Sequence, residues 1–208
     1  THSGTIETSG ENSAGIQSSG GYNVLTNITS GSTIRTTGDG SAGITAFGGN
    51  STFIAITGDI ETRGENAVAA RASSNYEAAS VTNSATIRTE GLGSSGLVAS
   101  GYNSASIRSS GDVTTLGDNS SALIASSYRY DASVTSSGVV NTAGDFSRGA
   151  SAFSQYGLAE IFVDGDIITT GDGATAIFAQ SLYDGAEVQI ASDVSTQGIE
   201  AHGVSISS

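Results

Sequence analysis

The sequence predicts an all-β solenoid, a parallel β-helix of about eight coils with three strands per coil and a ~27-residue repeat. The pattern Ile/Val-x-Thr-x-Gly occurs eight times, and successive anchor glycines are 28, 26, 27, 26, 27, 27 and 27 residues apart. Apolar residues also recur at fixed offsets from that glycine. Such a period is typical of repeats that bury their apolar faces only against neighbouring repeats. The anchors are Gly10, Gly38, Gly64, Gly91, Gly117, Gly144, Gly171 and Gly198.

The first strand of each repeat carries the anchor motif. Ile or Val stands four residues before the glycine and Thr two residues before it in all eight copies. Even offsets in an extended chain point to one face, so both columns are predicted to face inward. An inward threonine column argues against an ice-binding surface. The threonines are Thr8, Thr36, Thr62, Thr89, Thr115, Thr142, Thr169 and Thr196.

Two further apolar columns predict the other two strands of each coil. One lies ten residues before the anchor and the other six residues after it. The alanine-rich segment from Glu65 to Ser80 has helical propensity, but its register with the other repeats favours strands. The columns are Ile28, Ile54, Val81, Ile107, Val134, Ile161 and Val188, then Ile16, Ile44, Ala70, Leu97, Leu123, Ala150, Ile177 and Val204.

A turn follows each anchor strand. The second residue past the anchor is Asn or Gly in six of the eight copies, and these are the residues that tolerate positive φ. Phe146 and Glu200 occupy this position in the sixth and eighth copies. A differently shaped turn is therefore predicted in those two coils.

Composition limits the classes of partner. The net charge is −13, with 20 acidic residues against seven arginines and no lysine, which excludes nucleic acid and anionic membrane surfaces as partners. The chain has no cysteine, so disulfides and thiolate metal sites do not hold the fold. The unbroken repeat predicts one domain over residues 1–208, and the absence of capping segments predicts that it is a fragment of a longer array.

The stretch from Ser32 to Ala46, Ser-x-Thr-Ile-x-Thr-x-Gly-x-x-Ser-x-Gly-Ile-x-Ala, resembles the passenger domains of bacterial autotransporters. The resemblance extends over the whole chain. It implies a right-handed parallel β-helix that is secreted to the surface of a Gram-negative bacterium, with membrane contact only through a C-terminal β-barrel outside this fragment. It also accounts for the missing cysteine, because passengers cross the outer membrane unfolded.

The resemblance implies a non-enzymatic adhesin or stalk, as in many virulence proteins. Its partners would be a host or bacterial surface protein, a glycan, or another copy of the chain. The alternative is a fragment of a polysaccharide-active β-helix lyase or hydrolase. Asp164 and Asp166 form the only suitable carboxylate pair, and His202-Gly203 resembles part of a hydrolase pattern, but the Arg-x-Lys expected beside it is absent. No catalytic residue and no cofactor is predicted.

Acidic residues form a column directly after the anchor. Stacked carboxylates could bind Ca²⁺, but the nonapeptide of calcium-binding β-rolls is absent, so solvated turn residues are favoured and no metal site is predicted. A second column places Glu7, Arg35, Glu61 and Arg88 in neighbouring coils, which predicts opposite charges side by side. The acidic column contains Glu11, Asp39, Glu65, Asp118, Asp145 and Asp172.

All seven tyrosines lie eleven to thirteen residues after an anchor, so they are predicted to line one corner of the rod. Such a row could shield the turns, or it could bind a sugar or a protein, because tyrosine combines a flat apolar face with a polar tip. The candidate partner-binding strip contains Tyr76, Tyr102, Tyr128, Tyr130, Tyr156 and Tyr183, and Tyr22 occupies the same position in the first coil.

Overall fold

The computed structural model describes residues 1–208 and confirms the predicted parallel β-helix. Three parallel sheets of eight, eight and seven strands form its walls, and each strand pairs with the equivalent strand one coil away. No helix in the structure is long and apolar enough to cross a membrane.

Sheet 1 contains the anchor strands, in sequence order from coil to coil. Ile34 pairs with Ile60 in the next coil, and Thr36 pairs with Thr62, so the repeat register and the strand register coincide. The strands are Thr5–Thr8, Thr33–Thr36, Asp59–Thr62, Ile87–Thr89, Val113–Thr115, Val140–Thr142, Ile167–Thr169 and Val194–Thr196.

Sheet 2 follows the turn after the anchor. Its last two interior strands are longer than the others because pairing begins at Arg148 and at Thr175, before the aliphatic column. The strands are Ile16–Gly20, Ile44–Gly48, Ala70–Ser74, Leu97–Gly101, Leu123–Ser127, Arg148–Ser154, Thr175–Ser181 and His202–Ser207.

Sheet 3 completes each coil and leads into the next anchor strand. The alanine-rich segment from Glu65 to Ser80 contributes strands to sheets 2 and 3, as its register predicts. The strands are Val24–Ile28, Thr52–Ile56, Ala78–Asn83, Ser104–Ser109, Ala132–Ser136, Ala159–Val163 and Ala186–Ile190.

The core lies where the inner faces of the three sheets meet. Its aliphatic side chains are fully buried in the interior coils and stack in columns along the axis, as Val113, Val140 and Ile167 do in sheet 1. One coil cannot close this core alone. Burial depends on the coils above and below, which makes stability a nearest-neighbour property.

The anchor glycines are required by the close approach of neighbouring coils. A Cβ added at Gly144 would overlap the carbonyl oxygen of Gly117 one coil below, and the other anchors past the first repeat have the same contact. Only Gly198 among the anchors has a positive φ. Several of these carbonyls also accept a serine hydroxyl from the next coil, as Gly91 O does from Ser120 at 3.0 Å. The anchor thus keeps two backbones close together.

The prediction of different turns is wrong for the φ angles of Phe146 and Glu200, but the eighth turn does differ at its anchor, where Gly198 has a φ of 147°. Phe146 and Glu200 adopt φ values of 55° and 56°, which match the 54° of Asn12 and the 55° of Asn119. In the sixth coil the next coil supports this shape, because Phe146 N–H donates to Asp172 O at 2.8 Å just as Asn119 N–H donates to Asp145 O at 2.8 Å. At Phe146 this inter-coil hydrogen bond offsets part of the local cost of about 1–2 kcal/mol for a left-handed residue with a side chain.

The threonine column faces inward, as predicted. All six members in the interior coils are buried, and four of them donate their hydroxyl to a carbonyl five residues ahead; Thr115, for example, bonds Ser120 O at 2.7 Å. The buried hydroxyls of Thr142 and Thr169, in contrast, have no hydrogen-bond partner. Strand pairing starts earlier in their coils, so backbone N–H groups occupy the carbonyls: Thr175 N–H bonds Ser147 O, and His202 N–H bonds Ala174 O.

Because Thr115 has a hydrogen-bond partner and Thr142 has none, replacing each with valine is predicted to affect stability differently. We expect Thr142→Val to leave the free energy of unfolding unchanged or to raise it by up to about 1 kcal/mol, because the lost hydroxyl has no partner. Thr115→Val leaves Ser120 O without its donor and should lower that free energy by about 1–3 kcal/mol. Urea unfolding of the two variants measures the contrast, and equal losses at both positions would contradict it.

Candidate functional site

The tyrosines lie at the corner where the chain leaves sheet 2. Tyr102 and Tyr128 come directly after strands that end at Gly101 and Ser127, while Tyr156 and Tyr183 come two residues after Ser154 and Ser181. The strands end in register, so Tyr102 and Tyr128 occupy one position of the corner, and Tyr156 and Tyr183 occupy the position one residue farther along.

Four of the seven tyrosines, Tyr102, Tyr128, Tyr156 and Tyr183, form a continuous row that we call the tyrosine ladder. Centroids of neighbouring rings are 5.1, 5.3 and 4.9 Å apart. The first and last pairs are stacked, with interplanar angles of 23° and 11°, and the middle pair meets edge to face at 79°. The side chains remain 42, 43, 45 and 71% exposed in that order. The ladder is therefore a preformed aromatic surface.

The rings cover one another, so the ladder presents ring edges and phenol groups more than open ring faces. The neighbouring Tyr156 phenol is the main cause that raises the pKa of the Tyr128 hydroxyl above its usual value. Tyr102 and Tyr183 act on it in the same direction more weakly. The Tyr128 and Tyr156 hydroxyls are thus close enough to interact.

The other three tyrosines of the predicted row do not join the ladder. Tyr22 and Tyr76 are 77 and 65% exposed and have no aromatic partner. Tyr130 reaches beyond the corner, where the guanidinium carbon of Arg129 lies 5.5 Å from its ring centroid. The structure therefore brings together four members of the candidate strip, and Tyr76 and Tyr130 stand apart.

A second row lies on the outer face of sheet 2, and its partly exposed members are the apolar residues Ile124 and Phe178, whereas Val98 and Ser151 are buried. Val98 pairs with Ile124, and farther along the same row Ser151 pairs with Phe178. Phe153 lies in the next row and, with Tyr102 and Tyr128, lines a shallow groove of ≈ 410 Å³. These side chains were not singled out in the sequence, although alternation along the sheet 2 strands places them outward. Ladder and groove form one surface.

Arg148 caps the far end of this second row. Its guanidinium carbon lies 3.8 Å from the centroid of Phe178, and partial burial lowers the pKa of the guanidinium from its usual value. It has no carboxylate within ion-pair distance, unlike Arg35, Arg63 and Arg88. A guanidinium over an aromatic face gains cation–π attraction, so the contact holds Phe178 in place.

The acidic column after the anchor has a structural role. Every aspartate in it accepts a backbone N–H from the following coil, at distances of 2.7–2.9 Å, whereas Glu11 and Glu65 do not. The shorter aspartate side chain keeps its carboxylate beside its own backbone, within reach of the next turn. Bonds to a carboxylate are stronger than neutral ones, so the column ties coil to coil. The aspartates are Asp39, Asp118, Asp145 and Asp172.

The alternating charge row is only partly as predicted. Arg35 lies between Glu7 at 3.6 Å and Glu61 at 3.2 Å. Glu61 then pairs most closely with Arg63 at 2.6 Å, while Arg88 pairs with Glu90. The hydrogen bond from Arg63 is the largest influence on the pKa of Glu61, which lies below its usual value. Two arginines compete for Glu61, and Arg88 binds the carboxylate two residues along its own chain.

The residues weighed for catalysis lie on different walls. Asp166 precedes a sheet 1 strand, and its carboxylate accepts the N–H of Asp193 at 3.2 Å, which is the same coil-to-coil contact that other aspartates make. His202 opens the last strand of sheet 2 and pairs with Thr175. The pair Asp164 and Asp166 therefore lies on another part of the rod from His202.

Comparison of this chain with protein-family models, with curated proteins and with solved structures finds no match.

Proposed function

We propose that this chain is a non-enzymatic contact segment of a β-helix displayed on the outer surface of a Gram-negative bacterium. Its repeat resembles autotransporter passengers, and it would act there as an adhesive part or as a stalk. The tyrosine ladder is the observation that carries the adhesive role. The ladder is a preformed row of four aromatic rings in contact with one another. Aromatic residues dominate binding energy in protein interfaces.

The ring geometry favours a protein partner over a glycan. Sugars stack on open aromatic faces, and each inner ladder ring has one face covered by its stacked neighbour, Tyr128 by Tyr102 and Tyr156 by Tyr183. A sugar would have to displace a neighbouring ring to reach such a face. A protein partner can instead cover the ring edges, bond the phenol groups and place an apolar side chain in the groove beside Phe153.

The repeated spacing suits many weak contacts. The ladder extends over four successive coils, and the second row follows it along sheet 2. Contacts that are weak singly add up when a rigid surface presents several together. Rigidity also lowers the entropic cost of binding, because the rings are already ordered by stacking.

Replacing the four ladder tyrosines tests the proposal. We expect the quadruple change of Tyr102, Tyr128, Tyr156 and Tyr183 to Ser to weaken binding to bacterial or host cells, or self-association, at least ~100-fold, because hot-spot residues are lost together. Cell-binding assays and sedimentation measure the two forms of contact. Circular dichroism should stay β-type.

The chain provides a matched control, in which Tyr22, Tyr76 and Tyr130 are changed to Ser. These tyrosines are at least as exposed as Tyr128 but lie outside the ladder, so binding should persist. Binding that survives loss of the ladder would contradict the adhesive role. Absence of any binding by the unchanged chain would favour the stalk, and binding to glycan arrays would contradict the preference for protein.

A further inference from the structure

The chain lacks the side chains that usually react first with oxidants. It has no cysteine, methionine or tryptophan, and it has seven tyrosines. Thiols and thioethers are the common targets of oxidation in proteins. Without them, a one-electron oxidant is directed to the phenols, and the four ladder phenols are exposed and in ring-to-ring contact.

We propose that the tyrosine ladder is a site of oxidative cross-linking, in which Tyr102 couples to Tyr128 and Tyr156 couples to Tyr183. The oxidant is hydrogen peroxide used by a haem peroxidase. The products are dityrosine bonds within one chain, each joining two neighbouring coils. This modification is independent of whether the ladder also binds a partner.

The chemistry balances for each pair. Two phenols each lose one electron and one proton, and one hydrogen peroxide accepts them and becomes two waters. The two phenoxyl radicals form a carbon–carbon bond between ring positions ortho to oxygen. The hydrogens on those two carbons then move to the oxygens, which restores both hydroxyls, so the chain loses two hydrogen atoms in total.

Ring orientation selects the two pairs. Tyr102 and Tyr128 are tilted by only 23°, and Tyr156 and Tyr183 by 11°, so equivalent edges lie alongside each other. Tyr128 and Tyr156 meet at 79°, which directs the edge of one ring at the face of the other. The contact between Tyr128 and Tyr156 still allows a tyrosyl radical to move from one stacked pair to the other before coupling.

The backbone holds each pair in place. Tyr128 N–H donates to Gly101 O at 3.3 Å, and Leu182 N–H donates to Ser154 O at 3.2 Å, so the coils that carry each pair stay adjacent. Only side-chain rotation is needed to bring the ortho carbons together. Reaction between groups held this way has a high effective concentration, which favours coupling within the chain over coupling between chains.

Each bond would also stabilise the rod. Tyr102 and Tyr128 are 26 residues apart, and Tyr156 and Tyr183 are 27 residues apart. A cross-link that closes a loop of this size restricts the unfolded chain, by the argument that applies to disulfides. The oxidised protein should therefore unfold at a higher temperature than the untreated protein.

The test treats the dilute 208-residue chain with a haem peroxidase and hydrogen peroxide and maps the products by mass spectrometry. Trypsin separates Tyr102, in residues 89–108, from Tyr128, in residues 109–129, so their bond appears as a joined peptide pair. Tyr156 and Tyr183 share residues 149–208, and cleavage after Glu160 separates them. Both joined pairs, dityrosine fluorescence and a monomeric band in a denaturing gel are expected.

Two matched variants decide the assignment. Tyr128→Phe keeps the ring but removes the phenol, so the bond to Tyr102 should be lost while the bond between Tyr156 and Tyr183 remains. Tyr130→Phe alters an exposed tyrosine outside the ladder and should leave both bonds intact. Bonds that involve Tyr22, Tyr76 or Tyr130 as often as the ladder pairs would overturn the proposal. So would oxidation that yields only cross-links between chains, or none.

Discussion

Gly144→Ala is expected to lower the free energy of unfolding by about 3 kcal/mol or more. The added methyl group would occupy the position of Gly117 O, which is backbone and cannot rotate away. Relief requires two coils to separate, and that breaks the sheet 1 hydrogen bonds on which the core depends. Thermal and urea unfolding of the purified chain measure the loss.

Gly10→Ala is the matched control for this substitution. It alters the same position of the same motif, but the added Cβ would meet only Ser13 Oγ at 2.8 Å, at the end of a side chain that can rotate. Its effect should be within about 0.5 kcal/mol, as for most surface changes. Equal losses at Gly10 and Gly144 would show that glycine is needed for the local turn, and the explanation by coil approach would then be wrong.

Val140→Asp should be at least as damaging, with a loss of about 3–5 kcal/mol. Val140 is fully buried and lies between Val113 and Ile167 in the sheet 1 column. A carboxylate there has neither water nor a cationic partner, and burial of an unpaired charge is costly. Because each coil is supported only by its neighbours, the damage should divide the rod into two weaker parts that unfold separately.

Asn141→Asp provides the control, since it adds the same charge to the next residue of the same strand. Asn141 lies on the outer side, beside Thr114 and Ile168, and is partly exposed. The free energy of unfolding of the Asn141→Asp variant should stay close to that of the unchanged chain. Limited proteolysis should cut Val140→Asp near the sixth coil and spare Asn141→Asp; a single unaltered unfolding transition in Val140→Asp would contradict the stacking register.

The residues that stabilise the rod are different from the residues proposed to contact a partner. Anchor glycines, inward aliphatic residues and inter-coil aspartates hold the coils in register, and the ladder lies outside all three. The ladder can therefore be altered with little expected effect on folding. This independence is what makes the serine replacements a test of binding.

The sequence by itself determined the strand pattern of each coil and which side chains face the core. Inward columns at even offsets, the repeat of about 27 residues and the anchor motif predicted the sheets and the burial of Val140 and Thr115. These features depend on alternation along an extended strand and on a constant period. Both are local properties that can be read without knowing which coils touch.

The tertiary structure decided what happens at the corners and between coils. Tyr102 and Tyr156 stand at different offsets from their strands, yet they belong to one ladder, because stacking and side-chain rotation absorb a shift of one residue. Phe146 takes a positive φ that a hydrogen bond to the neighbouring coil supports. Thr142 lacks a partner because the strand beside it begins early. Each outcome depends on the adjacent coil, a contact about 27 residues away in the chain that local patterns do not specify.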